Sequence, residues 1–235
     1  MTKNEVMDAL YKMSNEGTKS IYLKHGAKEP FFGVKVGDLK TIQKKVKKDH
    51  DLALELYATG NSDAMYLAGL IADNKTITKE TLQEWVKQAN WYMLSEYTVA
   101  WIASESKFGW ELGLEWINDA DEGIQSAGWS TISNYIAITA DDQIDIKKIE
   151  ELLDQVNADI HESLNRVRYT KNGFVISVGS YIPSLTEKAM EVAKNIGKVS
   201  VNVGETSCKV PLASDYIQKI IEKDRVGKKK KKARC

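Results

Sequence analysis

The stretch Trp85-Val-Lys-Gln-Ala-Asn-Trp91-Tyr92-Met-Leu-Ser-Glu96-Tyr-Thr-Val-Ala-Trp101, continued through Trp110 and Trp116 to Trp129, decides the fold. It holds all six tryptophans of a 235-residue chain. No proline interrupts it, so apolar residues can recur at helical spacing over its whole length. Residues 91–105 read as one helix. Met93, Leu94, Tyr97 and Trp101 make a buried stripe, and Tyr92, Glu96, Val99 and Ala103 fall on a second line at i, i+4, i+7 and i+11. Tryptophans in such a segment read first as core. Tyr92 and Glu96, four apart, place an aromatic plane beside a carboxylate on one face.

Working outward, the same period continues. Only Pro30, Pro183 and Pro211 occur, and helices are expected over residues 3–16, 18–25, 36–46, 50–59, 62–73, 79–90, 107–118, 123–138, 145–156, 160–181, 184–195 and 212–224. Gly60-Asn61 and Asp73-Asn74 supply stops, and Thr78 a start. The segment 26–33, with Gly26, Pro30 and Gly33, reads as a loop anchored by Phe31 and Phe32. Residues 199–211 differ: Val199-Ser-Val-Asn-Val203 alternates like a short strand or an extended arm. Ala68-Gly69, Ala100-Trp101, Ala127-Gly128 and Asn172-Gly173 set small residues beside bulky ones at irregular intervals of roughly 30 to 45 residues. That pattern suits HEAT-like helix pairs stacked into a curved solenoid. The expected fold is all-α, a right-handed α-solenoid of antiparallel pairs over residues 1–224, followed by a basic tail at 225–235.

Composition narrows the function classes. An apolar fraction of 43% supports a continuous core. No apolar run reaches the roughly 20 residues of a membrane span, and the first residues lack a secretory h-region, so the chain reads as cytoplasmic. Cys208 and Cys235 form no metal spacing, and His25, His50 and His161 are scattered, so neither metal nor cofactor is expected. Cys235 is expected to be a free, exposed thiol. The formal net charge is zero, yet Arg225, Lys228 to Lys232 and Arg234 crowd the tail. Without them, 26 basic groups face 33 acidic ones, a net of −7 over residues 1–224. An anion-binding groove must therefore come from local clustering.

Three clusters offer chemistry. Glu96 beside Tyr92 can stabilise a developing cation or act as a base toward water, or it can cap or ion-pair with a neighbouring helix. Arg166-Val-Arg168-Tyr-Thr-Lys171 contains two of the four arginines, whose planar forks suit phosphate oxygens. The alternative for this cluster is an interhelical ion pair. The lysine tail is either a solvated end or a mobile arm that neutralises phosphates. Lys40, Lys44, Lys45, Lys47 and Lys48 read as a solvated face or as phosphate contacts beside the 26–33 loop.

Several segments resemble the HEAT-like-repeat DNA alkylation repair family, the bacterial alkylpurine DNA glycosylases. The likeness covers most of residues 15–195. It rests on Tyr22-Leu-Lys24-His25 with Phe32-Gly-Val34 and Leu39-Lys40, and on Trp91-Tyr92-Met-Leu-Ser-Glu96. The closing block Val203-Gly-Glu-Thr-Ser-Cys208-Lys-Val-Pro211 with the final Arg234-Cys235 resembles the ending of one branch. The resemblance implies removal of cationic alkylated purines from DNA in a concave cleft. Position by position, it puts Tyr92 at a cleft tryptophan and Glu96 at the catalytic Asp. Ser126 stands at an arginine, Ile176 near a later tryptophan, and Tyr22 at an aromatic close to the lesion.

The leading expectation is a DNA-binding protein of this repair type, acting on damaged or branched DNA. Lys24, Arg166, Arg168, Lys171 and the tail would hold phosphates, and Tyr22, Trp91 and Tyr92 would face sugar or base. Glu96 would be the catalytic carboxylate if a glycosidic bond is broken. The alternative is a HEAT-like protein-binding scaffold without DNA activity.

Overall fold

The computed structural model describes residues 1–234; the expectation for Cys235 lies outside them. Thirteen α-helices run through the described residues: α1 (Lys3–Lys12), α2 (Glu16–Lys24), α3 (Val36–Val46), α4 (His50–Tyr57), α5 (Ser62–Ile71), α6 (Lys79–Gln88), α7 (Ala100–Glu105), α8 (Gly109–Trp116), α9 (Glu122–Ile138), α10 (Ile146–Asp159), α11 (Asn165–Tyr181), α12 (Thr186–Ile196) and α13 (Ala213–Glu222). Met93–Val99 is a π-helix leading directly into α7. There is no strand among the described residues, and 199–211 is an extended crossing segment.

The starts follow from local chemistry. Thr2 and Glu5 form a reciprocal capping box on α1, Asn61 accepts two backbone N–H groups of α5, and Thr78, Asp121 and Asp145 cap α6, α9 and α10. Stability comes mainly from stacking. The inner helices α5, π/α7, α9 and α11 pack in succession, with α4, α6, α8 and α12 behind them. All ten residues of α5 are buried, as the inner helix of such a layer requires.

Small residues let the axes close. A side chain at Gly69 would run into Thr98 of the π-helix, and one at Gly128 would sit 2.6 Å from the Ile117 nitrogen and 2.8 Å from the Trp116 carbonyl carbon. The Ala127-Gly128 echo therefore marks a true helix contact. Asn172-Gly173 does not, because a Cβ on Gly173 meets nothing. The 26–33 loop is held less by its rings than by Asp63, whose carboxylate accepts N–H bonds from Phe32, Gly33 and Val34 at 2.6, 3.0 and 3.1 Å.

The tail corrects an expectation. Residues 227–234 are docked through their backbone rather than free, although Lys228 and Lys230 to Lys232 stay exposed. They lie across the C-terminal ends of the inner helices. The Gly227 and Lys230 nitrogens donate to Ser180 and Ala137, and Lys229 reaches Ile136 O and Asp141. Arg234 ends the run in a prepared pocket. Its guanidinium bonds to Glu105 and to the carbonyls of Gly69 and Ala72, and the backbone N–H groups of Ala233 and Arg234 bond to Glu105 Oε1. Helix C-termini expose unpaired carbonyls and a partial negative charge, so a cationic segment is their natural partner. The composition reading missed this because it weighed apolar burial alone, and Ala233 is the only buried residue among the described residues of the tail.

Two outcomes follow for stability. Gly128→Ala should cost about 1–3 kcal/mol in a denaturant titration, since backbone rather than a flexible side chain blocks the new methyl. Glu105 is held below its ordinary 4.5: burial works to raise it, but Arg234 and the two backbone donors outweigh that. A depressed carboxyl adds stability that is present above 4.5 and fades as pH falls through the lowered folded value. The melting temperature of wild type should therefore drop more between pH 6 and pH 3.5 than that of Glu105→Gln.

Candidate functional site

The N-terminal ends of the inner helices open onto a cleft of about 1100 Å³. Its lining comes from the α2 end (Lys24, His25), the start of the π-helix (Trp91 to Met93), the first turns of α9 (Asp121 to Ser126) and α11 (Arg166, Tyr169), and the crossing segment 202–209. That segment bridges the cleft. Asn165 exchanges hydrogen bonds with Asn202 at 2.6 and 2.9 Å. At the far side Gly204, with φ of 78°, lies so close to the Lys24 carbonyl that no side chain fits there.

The floor is an ion pair. Arg166 Nε and Nη2 donate to Glu96 Oε1 and Oε2 at 2.8 and 2.5 Å. The guanidinium lies between the rings of Tyr92 and Tyr169, 4.2 and 4.5 Å from their centroids. Glu96 is 3% exposed and lies behind the arginine rather than facing the cleft. Complete burial pushes its carboxyl above the ordinary range, while Arg166 and Ser126 pull the other way. Burial works to lower the Arg166 pKa, yet Glu96 carries it above its usual value, so the guanidinium stays charged.

The π-helix alters the i, i+4 relation of Tyr92 and Glu96. Its turn is wider, and the residue stacked under position i is i+5. Tyr97 meets the Tyr92 ring, at 6.5 Å between centroids, and Glu96 is linked to Tyr92 through the Arg166 guanidinium. Glu96 turns inward toward α9 and α11. Ser126, where the resemblance places an arginine, sits beside Glu96, and Arg166 from α11 supplies a guanidinium to the same carboxylate.

The other expected residues divide. Trp91 lines the cleft and anchors the α2 end through Nε1 to the His25 carbonyl, at 2.9 Å. Tyr92 contacts His25 Nδ1 at 3.3 Å. Lys24 lines the wall. Tyr22 stands behind Trp91, 5.1 Å between ring centroids, with its hydroxyl donating to Val34 O; burial pushes that hydroxyl up to about 12. Arg168 and Lys171 point elsewhere. Arg168 donates to the carbonyls of Ser163 and Ser200 and so holds the base of the crossing segment. Lys171 is 3% exposed, bonded to Asp159 at 2.6 Å and set over Trp129. Lys40, Lys44 and Lys45 of α3 and Lys47 and Lys48 just after it stay outside the cleft, with Lys48 paired to Asp73. Ile176 packs on the core beside α9.

Tyr169, next to Arg168 in the basic cluster, lines the cleft as well; sequence reasoning missed Lys28, Lys87, Lys209 and His25 as wall residues. The three lysines come from the 26–33 loop, the last turn of α6 and the crossing segment, and carried no common signal. Against these cations stand Asp121, Glu122 and Glu205. Two of the acids are engaged by backbone: Asp121 accepts from Ile124 N, and Glu122 from Arg166 N. Among the described residues no group of three or more His, Cys, Asp or Glu could hold a metal, and no helix is long and apolar enough to cross a membrane.

Comparison with known proteins agrees with this architecture. A family model described as DNA alkylation repair enzyme matches residues 6–203. An uncharacterised protein of Listeria innocua and another of Listeria monocytogenes are each 35% identical over 225 residues, covering 93% of this chain and 97% of the relative. A solved structure is similar over 100% of both chains, with 40% identity and a TM-score of 0.91. It is described as a new family of proteins related to the HEAT-like repeat DNA glycosylases with affinity for branched DNA structures.

Removing one member of the floor pair leaves the other buried and uncompensated. Arg166→Leu should cost about 3–5 kcal/mol in chemical unfolding. The double variant E96L/R166L should recover most of that loss. A single variant as stable as wild type would show that the pair is solvated rather than sealed.

Proposed function

Because this chain belongs to the DNA alkylation repair enzyme family, we propose that its cleft binds branched DNA and does not hydrolyse the glycosidic bond. One observation carries this reading: Glu96, the carboxylate that the family resemblance puts at the catalytic position, is closed off behind Arg166 by a bidentate pair. A carboxylate that stabilises a cationic sugar must offer its charge to the substrate in the transition state. Glu96 spends that charge on Arg166. Reaching it would require separating two charges in a site shielded by two tyrosine rings, which is costly.

The same floor suits binding. Arg166 uses Nε and Nη2 on Glu96 and keeps Nη1 directed away from that pair, as a donor for a phosphate oxygen. Lys24, Lys28, Lys87 and Lys209 ring the wall, while Trp91, Tyr92 and Tyr169 bring aromatic rings into the lining. Cations supply affinity and aromatic faces accept unstacked bases without sequence preference. Unstacked bases occur where duplexes branch, in keeping with the affinity described for the similar structure. The cleft is also larger than the 300–1,000 Å³ usual for a small-molecule pocket.

Fluorescence anisotropy with a four-way junction tests the reading. Affinity should fall steeply with salt, about 0.9 in log–log slope per phosphate neutralised. The variant K24Q/K28Q/K87Q/K209Q should weaken binding and flatten that slope. Incubation with methylated DNA should release no free base above the Glu96→Gln background. Salt-independent binding would remove the phosphate contacts from the account, and wild-type base release abolished by Glu96→Gln would restore the enzyme.

A further inference from the structure

The inner helices have two edges. Their N-termini form the cleft, and their C-termini lie under residues 227–234. Along α9 the cleft residues Glu122 to Ser126 stand some 10 to 15 positions before Ile136 and Ala137, whose carbonyls hold the tail. At 1.5 Å per residue that is about 15–23 Å. Along α11 the same interval separates Tyr169 at the cleft from Ser180 and Tyr181 under the tail.

The tail uses little of its charge to dock. Backbone N–H groups, Lys229 and Arg234 make the bonds to the helix ends. Lys228, Lys230, Lys231 and Lys232 remain exposed. Lys228 has only a 3.9 Å contact with a fully exposed Asp224, and Lys230 rests over the Tyr181 ring at 5.6 Å. Four like charges within five residues repel one another, and a free tail would spread them. Here the Arg234–Glu105 anchor holds them in register on one edge, where Asp141 is engaged by Lys229.

We propose that residues 228–232 form a second phosphate-binding surface, which holds one arm of a branched DNA while the cleft holds the branch point. This rests on the reading of the cleft as a branched-DNA site. The two surfaces lie at opposite edges of one helical layer. A straight duplex on either edge runs away from the other, whereas the diverging arms of a junction can pass to both. Engaging both at once raises affinity through effective concentration without any new contact at the cleft. The segment that carries these lysines is fixed by its backbone bonds and the Arg234 anchor before the polyanion arrives.

The test compares a four-way junction with a linear duplex of equal length, for wild type, K228Q/K230Q/K231Q/K232Q and E105Q. Circular dichroism and melting temperature establish that each variant is folded. The four-lysine variant should bind the junction about tenfold more weakly, with a salt slope reduced by about 2 to 4, and should bind the linear duplex as wild type does. E105Q keeps every lysine but frees the anchor, and should lose junction affinity as well. Unchanged junction binding in the four-lysine variant overturns the proposal, as does an equal loss for both DNAs. Full junction affinity in E105Q overturns the ordered surface. If the four-lysine variant loses only binding to anionic phosphatidylserine vesicles, the partner is a membrane and the proposal fails. Wild-type protein that binds neither DNA removes the cleft reading and this one together, whereas wild-type binding with an unaffected four-lysine variant removes this one alone.

Discussion

The constraint on which the molecule depends is the common direction of its inner helices. With α5, π/α7, α9 and α11 packed side by side, unpaired N–H groups and positive dipole ends collect at one edge, and unpaired carbonyls at the other. Each edge has to be satisfied. At the N-terminal edge, caps such as Asn61 and Asp121 and the glutamate that accepts from Arg166 N do part of this. At the C-terminal edge, the chain's own basic end does it. An open cleft and a covered opposite edge are thus two consequences of one packing arrangement.

The π-helical turn is the second decision. By widening one turn it rotates Glu96 out of the cleft line and brings Tyr97 beneath Tyr92. A buried carboxylate then needs a cation, and α11 provides Arg166. The position that the family resemblance assigns to an arginine is Ser126, and a guanidinium still reaches the same carboxylate from a different helix. A buried charge can be balanced from any element that passes nearby, so the balance is kept while the accessible surface changes.

Arg168 and Lys171 show how far a sequence cluster can mislead. They lie on one helix with Arg166, but rotation about that helix sends the three cations in different directions: to Glu96, to the crossing segment and to Asp159. Lys171 is buried against Trp129 and Asp159, and burial lowers its pKa despite that partner. The alternation of Val199 to Val203 in the crossing segment gave no sign of its place. The Asn165–Asn202 hydrogen bonds and the close approach of Gly204 to Lys24 show that it spans the cleft.

By itself the sequence determined that the chain is helical, where most helices begin and end, and that small residues such as Gly69 and Gly128 let the layers close. These are short-range matters of period, capping and side-chain size, written in neighbouring residues. It also supplied the family, through the order of Tyr22, Trp91-Tyr92 and Glu96. The tertiary structure alone decided which charges meet. Glu96 and Arg166 are 70 positions apart, and Glu105 and Arg234 are 129 apart. No local pattern encodes such pairings, because they arise from where whole helices come to rest.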